Sequence, residues 1–322
     1  MKKLLSACLL AVPLLATSHA MAQTWPAKPI RWVVPYPAGG GSDFLARTIG
    51  QALSTQVKQP VLVDNKPGGN TAIGASDVAR SAPDAYTVLS ADNGTLVFNP
   101  VLYKSLSYSP TRDLAPVTLM GRFPMILVVG PGNSAANAKD FIAEAKAKAG
   151  GLNYASAGAG SPHHLAMELL KSEAGLAMVH VPYKGAAPAL ADLAGGQVPA
   201  MMIDLASGAA FIKSGKIRAL AVASPKRLPQ LPDVPTFAEL GHKNVEAAAL
   251  VGMVVPAATP ADTIAALNKQ VVAAIQDPAV NKRLVDFGVE PVGDTPAQFA
   301  ALLKTESAKW QKLIRDLNIS LG

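Results

Sequence analysis

The 322-residue sequence is poor in the groups that carry covalent and redox chemistry. Its one cysteine, Cys8, lies at the extreme N-terminus, which excludes disulfides, thiolate metal sites and a cysteine nucleophile from the rest of the chain. Aromatic residues make up only 5 %, and nowhere do four basic residues follow one another, so the footprint of a nucleic-acid binder is missing. Beyond the N-terminus no apolar run is long or unbroken enough to span a bilayer. A P-loop lysine, a complete dinucleotide fingerprint, a Gly-x-Ser-x-Gly elbow and a histidine pair at zinc spacing are all absent, and no cofactor or metal is expected.

What is present starts with an export signal. Lys2 and Lys3 precede an apolar run over residues 4–16, and Ala20 and Ala22 are small residues at the spacing a signal peptidase reads. Residues 1–22 are read as a secretory signal peptide cleaved after Ala22, which places the mature protein in the periplasm. Leu5-Ser6-Ala7-Cys8 has the form of a lipoprotein box, but the seven residues before Cys8 are too few to hold an apolar core. Removing the segment takes two lysines from the net charge of +7 and leaves +5, thinly spread, a field that steers small anions. The mature chain, half of it apolar, is held by its core and is long enough for two lobes.

Short apolar runs alternate with helical patterns, the mark of an α/β fold with largely parallel sheet. Strands are predicted at residues 30–35, 60–64 and 86–90 with helices between them, and in the first helix Leu45, Ile49 and Leu53 recur every four residues. A second series begins with the strand MILVVG at Met125 and continues through a helix over 138–149, LNYAS, a helix from Pro162, MVHVP, QVPAMMID and IRALAVAS. VGMVVP and two helices, 261–276 and 296–317, close the chain. The pattern divides into a first lobe, 23–122 plus 253–322, and a second, 123–252, inserted into it.

Two strand-to-helix turns stand out. In PYPAGGGSDFLAR, Gly39, Gly40 and Gly41 let a ligand approach the backbone, Ser42 is placed to cap the helix, and Asp43 falls in its first turn. In SAGAGSPHHL, Gly158, Ala159 and Gly160 lead to Ser161 as N-cap and Pro162 at the first helical position. Free N–H groups and the helix dipole suit such a turn to an anion. Either turn alone reads equally well as a plain connection; the pair, one per lobe at the C-terminal end of a strand, argues for a ligand between them. His163 is read as a surface residue, and His164, four before Glu168, as structural or ligand-lining. Asp204, closing MMID, either faces the cleft or caps the next turn, and Lys184 is read as solvated.

These segments, with DNKPGGNTAIGASDVARSAPDAYTVL, VPYKGAAPALADLAGGQV and FIKSGKIRALAVASPKRLPQLPDVPTFAELG, resemble the extracytoplasmic solute receptors of tripartite tricarboxylate transporters, the Bug family, from Trp25 onward. The resemblance implies a Venus-flytrap fold of two α/β lobes, each a mostly parallel sheet flanked by helices. It also implies a binding protein rather than an enzyme, with a small organic carboxylate (a di- or tricarboxylate, an amino acid or an aromatic acid) held between the lobes. Its partners would be the membrane components of a tripartite transporter, and a monomer is expected. The ligand contacts implied are Tyr36, Ala38, Gly39, Gly40, Gly41, Ser42 and Asp43 in the first turn. Ala157, Gly158, Ala159, Gly160, Ser161 and His164 supply the second, and Asp92, Asn93 and Asp204 complete the cleft.

Three features depart from the family. Ala91-Asp92-Asn93 stands where relatives often carry small hydroxyl residues, and a ligand-facing Asp92 would repel a carboxylate and favour an amine. The aromatic residue usual before Gly252 is missing, which implies a smaller cleft wall, and Ala85 replaces a glycine in what reads as a surface turn. A sensor docking a signalling receptor, and a secreted hydrolase built on His164 with Glu168 or Asp204, are the alternative functions.

Overall fold

The computed structural model describes residues 25–321, and the signal-peptide reading lies outside them. Three parallel strands, β1 (Ile30–Val34), β2 (Val61–Asn65) and β3 (Thr87–Asp92), are connected by helices α1 (Gly41–Val57) and α2 (Ala72–Ala79). A π-helical turn (Gly94–Phe98) and two short helices, α3 (Asn99–Leu102) and α4 (Pro110–Asp113), lead into the 16-residue strand β4 (Leu114–Val129). Then come α5 (Ala138–Ala147), β5 (Leu152–Ser156), α6 (Pro162–Ala174), β6 (Met178–Pro182), α7 (Ala186–Ala194), β7 (Ala200–Asp204), α8 (Leu205–Lys213) and β8 (Arg218–Val222). The return strand β9 (Ala248–Pro256) precedes α9 (Ala261–Gln276), α10 (Pro278–Asp286), the short β10 (Glu290–Pro291) and α11 (Pro296–Asp316).

β4 ties the two halves together. Through Pro124 it pairs antiparallel with β9, and from Met125 onward it pairs antiparallel with β7 and β8. The strand order is β2-β1-β3-β9-β4-β7-β5-β6. Pairing is parallel in β2-β1-β3 and in β7-β5-β6, and antiparallel where β9 and β4 run through the middle. The sequence reading starts this strand only at Met125, because Pro116 and Pro124 interrupt its N-terminal half and proline seldom lies within a sheet. The ladder accommodates Pro116 with a register shift between it and Thr118.

The stripe of α1 does what its spacing dictates: Leu45, Ile49 and Leu53 are fully buried with Trp32, Met253 and, from α9, Leu267, Val271 and Ile275. Burying each such aliphatic side chain contributes about 1.5–3 kcal/mol. A second core joins Leu127, Met202 and Leu165 to Phe98 and Trp310, whose rings meet edge-on at 5.5 Å, so α11 and the π-helical turn pack into one core with the β5–β7 half. Ala85 is not on the surface. It is fully buried with a φ of +58°, a left-handed conformation that costs an alanine about 1–2 kcal/mol and explains why glycine suits the position.

Candidate functional site

Parallel β1 and β3 deliver two loops side by side at their C-terminal ends, residues 35–40 and 92–94. Gly39 takes a φ of +90°, open to glycine alone at low cost, and turns the chain into α1. Gly40 is the N-cap and no side chain caps the helix, so Ser42 lies inside its first turn rather than capping it. Asp43, in the same first turn, reaches back to the amide before the N-cap residue. Its Oδ2 accepts from the Gly39 amide at 2.9 Å, its Oδ1 from Asn65 Nδ2 at 2.9 Å, and Arg47 Nε lies 3.0 Å from both oxygens. Burial alone would raise the Asp43 carboxyl, but Arg47, the Gly39 amide and Asn65 outweigh it and hold the group below its ordinary range. The amides of Gly41, Ser42 and Asp43 have no acceptor among the described residues, as the geometry of a helix start requires. Ala38, Gly39 and Gly40 are exposed beside them.

Asp92 is likewise engaged. Its Oδ1 accepts from the amide and the hydroxyl of Thr95, each at 2.8 Å, and its Oδ2 accepts from the hydroxyl of Tyr36. Burial and the Asp92 charge keep the Tyr36 phenol protonated well above its usual range. Asn93 donates to the Ala248 carbonyl at 2.9 Å, tying the loop to the start of β9; its Oδ1 has no donor among the described residues. Asp92 is therefore a buried brace for the π-helical turn, and it offers no free carboxylate to an amine.

The second turn spends more of its donors internally. The Gly158 amide bonds Ser156 Oγ at 3.1 Å, the Ser161 amide bonds the Gly158 carbonyl at 3.2 Å, and the Gly160 amide bonds His164 Nδ1 at 3.1 Å. Ser161 is the N-cap, accepting from the His164 amide at 3.2 Å. The amides of Ala157, Ala159 and His163 remain without an acceptor among the described residues. His164 holds the turn from behind. Its ring stacks on His180 at 3.9 Å, His180 stacks on Tyr154 at 5.0 Å, and Glu168 is occupied by the Tyr154 hydroxyl and by Lys171 Nζ at 2.6 Å. Burial, then the neighbouring His180 and Lys171, push His164 down to about 3, and burial above all pushes His180 down to about 4. A neutral, buried His164 whose Nδ1 accepts from the backbone is not arranged as a hydrolase base.

Asp204 is the N-cap of α8, with Oδ1 accepting from the Ser207 amide at 2.9 Å and Oδ2 from the Ser207 hydroxyl at 2.7 Å. It also receives His163 Nε2 at 3.1 Å. Burial would raise this carboxyl, but His163 and Ser207 hold it below its usual range. His163, read from sequence as a surface residue, has a side chain only 12 % exposed. The one sequence signal for it is its place in the first turn of α6, just after the glycine turn.

Contacts place these groups between the two halves. A side-chain carbon on Gly41 would lie 3.1 Å from the Phe123 ring, and two residues along β4 Met125 pairs with Asp204. Gly160, with φ +74°, packs so closely on Leu102 and Leu321 that a methyl group would come within 2.8 Å of both. The arrangement offers unspent N–H donors from two helix starts, the chemistry of an anion site, and each acidic side chain beside them is held by donors of its own. Among the described residues no cluster of His, Cys, Asp or Glu suits a metal ion, and no helix is long and apolar enough to cross a membrane.

Comparison with known proteins gives the family and the fold. Residues 45–319 match the family described as tripartite tricarboxylate transporter family receptor. The chain is 36 % identical over 301 residues to protein BugT of Bordetella pertussis, covering 93 % of this chain and 92 % of that one. Its fold is similar to that of R. palustris Rpa4515 with adipate (TM-score 0.84, 34 % identity, 92 % and 99 % of the two chains). It is also similar to that of MatC from Rhodopseudomonas palustris with bound malate (TM-score 0.79, 30 % identity, 90 % and 100 %).

Proposed function

Because the chain belongs to the tripartite tricarboxylate transporter receptor family, we propose that it is a periplasmic receptor that captures a small dicarboxylate between its lobes and passes it to the membrane components of the transporter. The observation that carries the ligand class is the set of unspent amides at Gly41, Ser42 and Asp43. The adipate and malate bound by the two related proteins support the same class. An amino acid needs an acceptor for its ammonium group, and Asp43, Asp92 and Asp204 are each already engaged by three donors of their own.

The lobes, expected from sequence at 23–122 with 253–322 and at 123–252, divide instead at the crossings Pro124–Met125 and Ala247–Ala248 and move about them, and ligand favours the closed arrangement by its better affinity there. The protein acts as a monomer and without turnover of its ligand. A thermal-shift screen of the mature chain with succinate, malate, adipate, citrate and aspartate tests this reading. A ligand at about 100 times its dissociation constant adds about 2.7 kcal/mol, so a dicarboxylate should raise the melting temperature by several degrees and aspartate should not. A shift with aspartate or a neutral solute, and none with any dicarboxylate, would overturn it.

A further inference from the structure

His163 is the feature that the two-turn reading leaves without a role. Its Nε2–H points to Asp204, so its second nitrogen, Nδ1, is the free end of the ring, and Nδ1 is buried without a partner among the described residues. Leaving such an atom unmatched costs a protein about 1–3 kcal/mol, so it calls for a function. The second turn keeps only part of its donors free: Gly158, Gly160 and Ser161 have spent theirs on Ser156, His164 and the backbone. A carboxylate arriving there meets the amides of Ala157, Ala159 and His163, and the ring of His163 lies on the same first turn of α6.

We propose that His163, held by Asp204, binds the second carboxylate of a dicarboxylate ligand as an imidazolium, so that ligand binding takes up a proton from solvent. This rests on the carboxylate-receptor reading above. Asp204 stabilises the imidazolium through Nε2, and Nδ1–H becomes a further donor. The other ionisable groups around the ring leave it free to do this. On α6 itself, His164 and Glu168 face the Tyr154–His180 stack with Lys171. On α8, Ser207 shares Asp204. In the first turn Asp43 is paired with Arg47, and at the end of β3 Asp92 is hydrogen-bonded by Tyr36 and Thr95.

The test is calorimetry of adipate binding at about pH 7.5, in phosphate and in Tris, whose ionisation enthalpies differ. The apparent enthalpy should differ between buffers by an amount equal to a fraction of one proton taken up per adipate. His163→Gln should abolish that difference and weaken adipate about tenfold or more. His163→Lys, permanently charged, should keep affinity within a few-fold and also show no uptake, which separates the role from simple loss of fold. Adipate binding without proton uptake, and equally tight to His163→Gln, would overturn the assignment while leaving the receptor reading intact. Failure of wild-type protein to bind any dicarboxylate would sink both.

Discussion

Replacing Asp43 by alanine should lower dicarboxylate affinity about tenfold or more and destabilise the protein by about 2–3 kcal/mol. The side chain is 5 % exposed and closes the glycine turn from within by binding the Gly39 amide, Asn65 and Arg47 at once. Its loss leaves those donors unmatched and frees the turn, so the amides of Gly41 and Ser42 lose their fixed aim at the ligand. Asp43→Asn should fall between, since an amide oxygen still accepts from Gly39 but gives up the charge-assisted bond to Arg47. Urea unfolding and calorimetry on the three proteins measure both quantities. Stability lost with affinity unchanged would show that Asp43 supports α1 without shaping the site.

Acid should destabilise the fold well before its carboxylates titrate. His164 and His180 are stacked and held neutral, at about 3 and about 4, while an unfolded histidine titrates near 6.5. Between these values the unfolded chain binds more protons than the folded one, so stability falls as pH drops from about 6.5 and levels only below the folded values. Each imidazole removes about 1.4 kcal/mol per pH unit over that span. Asp43 and Asp204 lie below their ordinary range and stay ionised between about pH 7 and 5, and Glu290 and Asp294, raised by burial, act in the opposite direction, so a net loss of stability there comes from the histidines. Protonation also turns His164 Nδ1 from acceptor to donor, against the Gly160 amide that it now accepts. Melting temperature should drop steeply from about pH 7 to 5, and His180→Phe, which keeps a stacking ring, should flatten the slope. A flat profile in the native protein would contradict the buried, neutral stack.

The sequence made legible whatever is decided locally. The α1 stripe, both glycine turns, Ser161 as a cap and much of the order of strands and helices follow from spacing and from glycine and proline chemistry within a few residues, whereas α8, α10 and the short helices between β3 and β4 are not expected from them. What escaped depends on distant partners. Asn65, 22 residues from Asp43, helps turn that carboxylate inward, so the expectation that Ser42 caps the helix fails. His163 leaves the surface because Asp204, 41 residues on, is brought to it by β7. The proline-rich half of β4 is a strand because β9 returns beside it from far along the chain, which no window of local periodicity contains. Asp92 reads in sequence as a ligand-facing charge until Tyr36 and Thr95 are seen to occupy both its oxygens.

Backbone amide chemical shifts, followed by NMR while adipate is titrated into isotope-labelled mature protein, probe the first turn most directly. The amides of Gly41, Ser42 and Asp43 should move furthest, downfield as they take up hydrogen bonds to the carboxylate, and should follow a binding curve with the dissociation constant found by calorimetry. Tight adipate binding that leaves all three unmoved would contradict a carboxylate held at the start of α1.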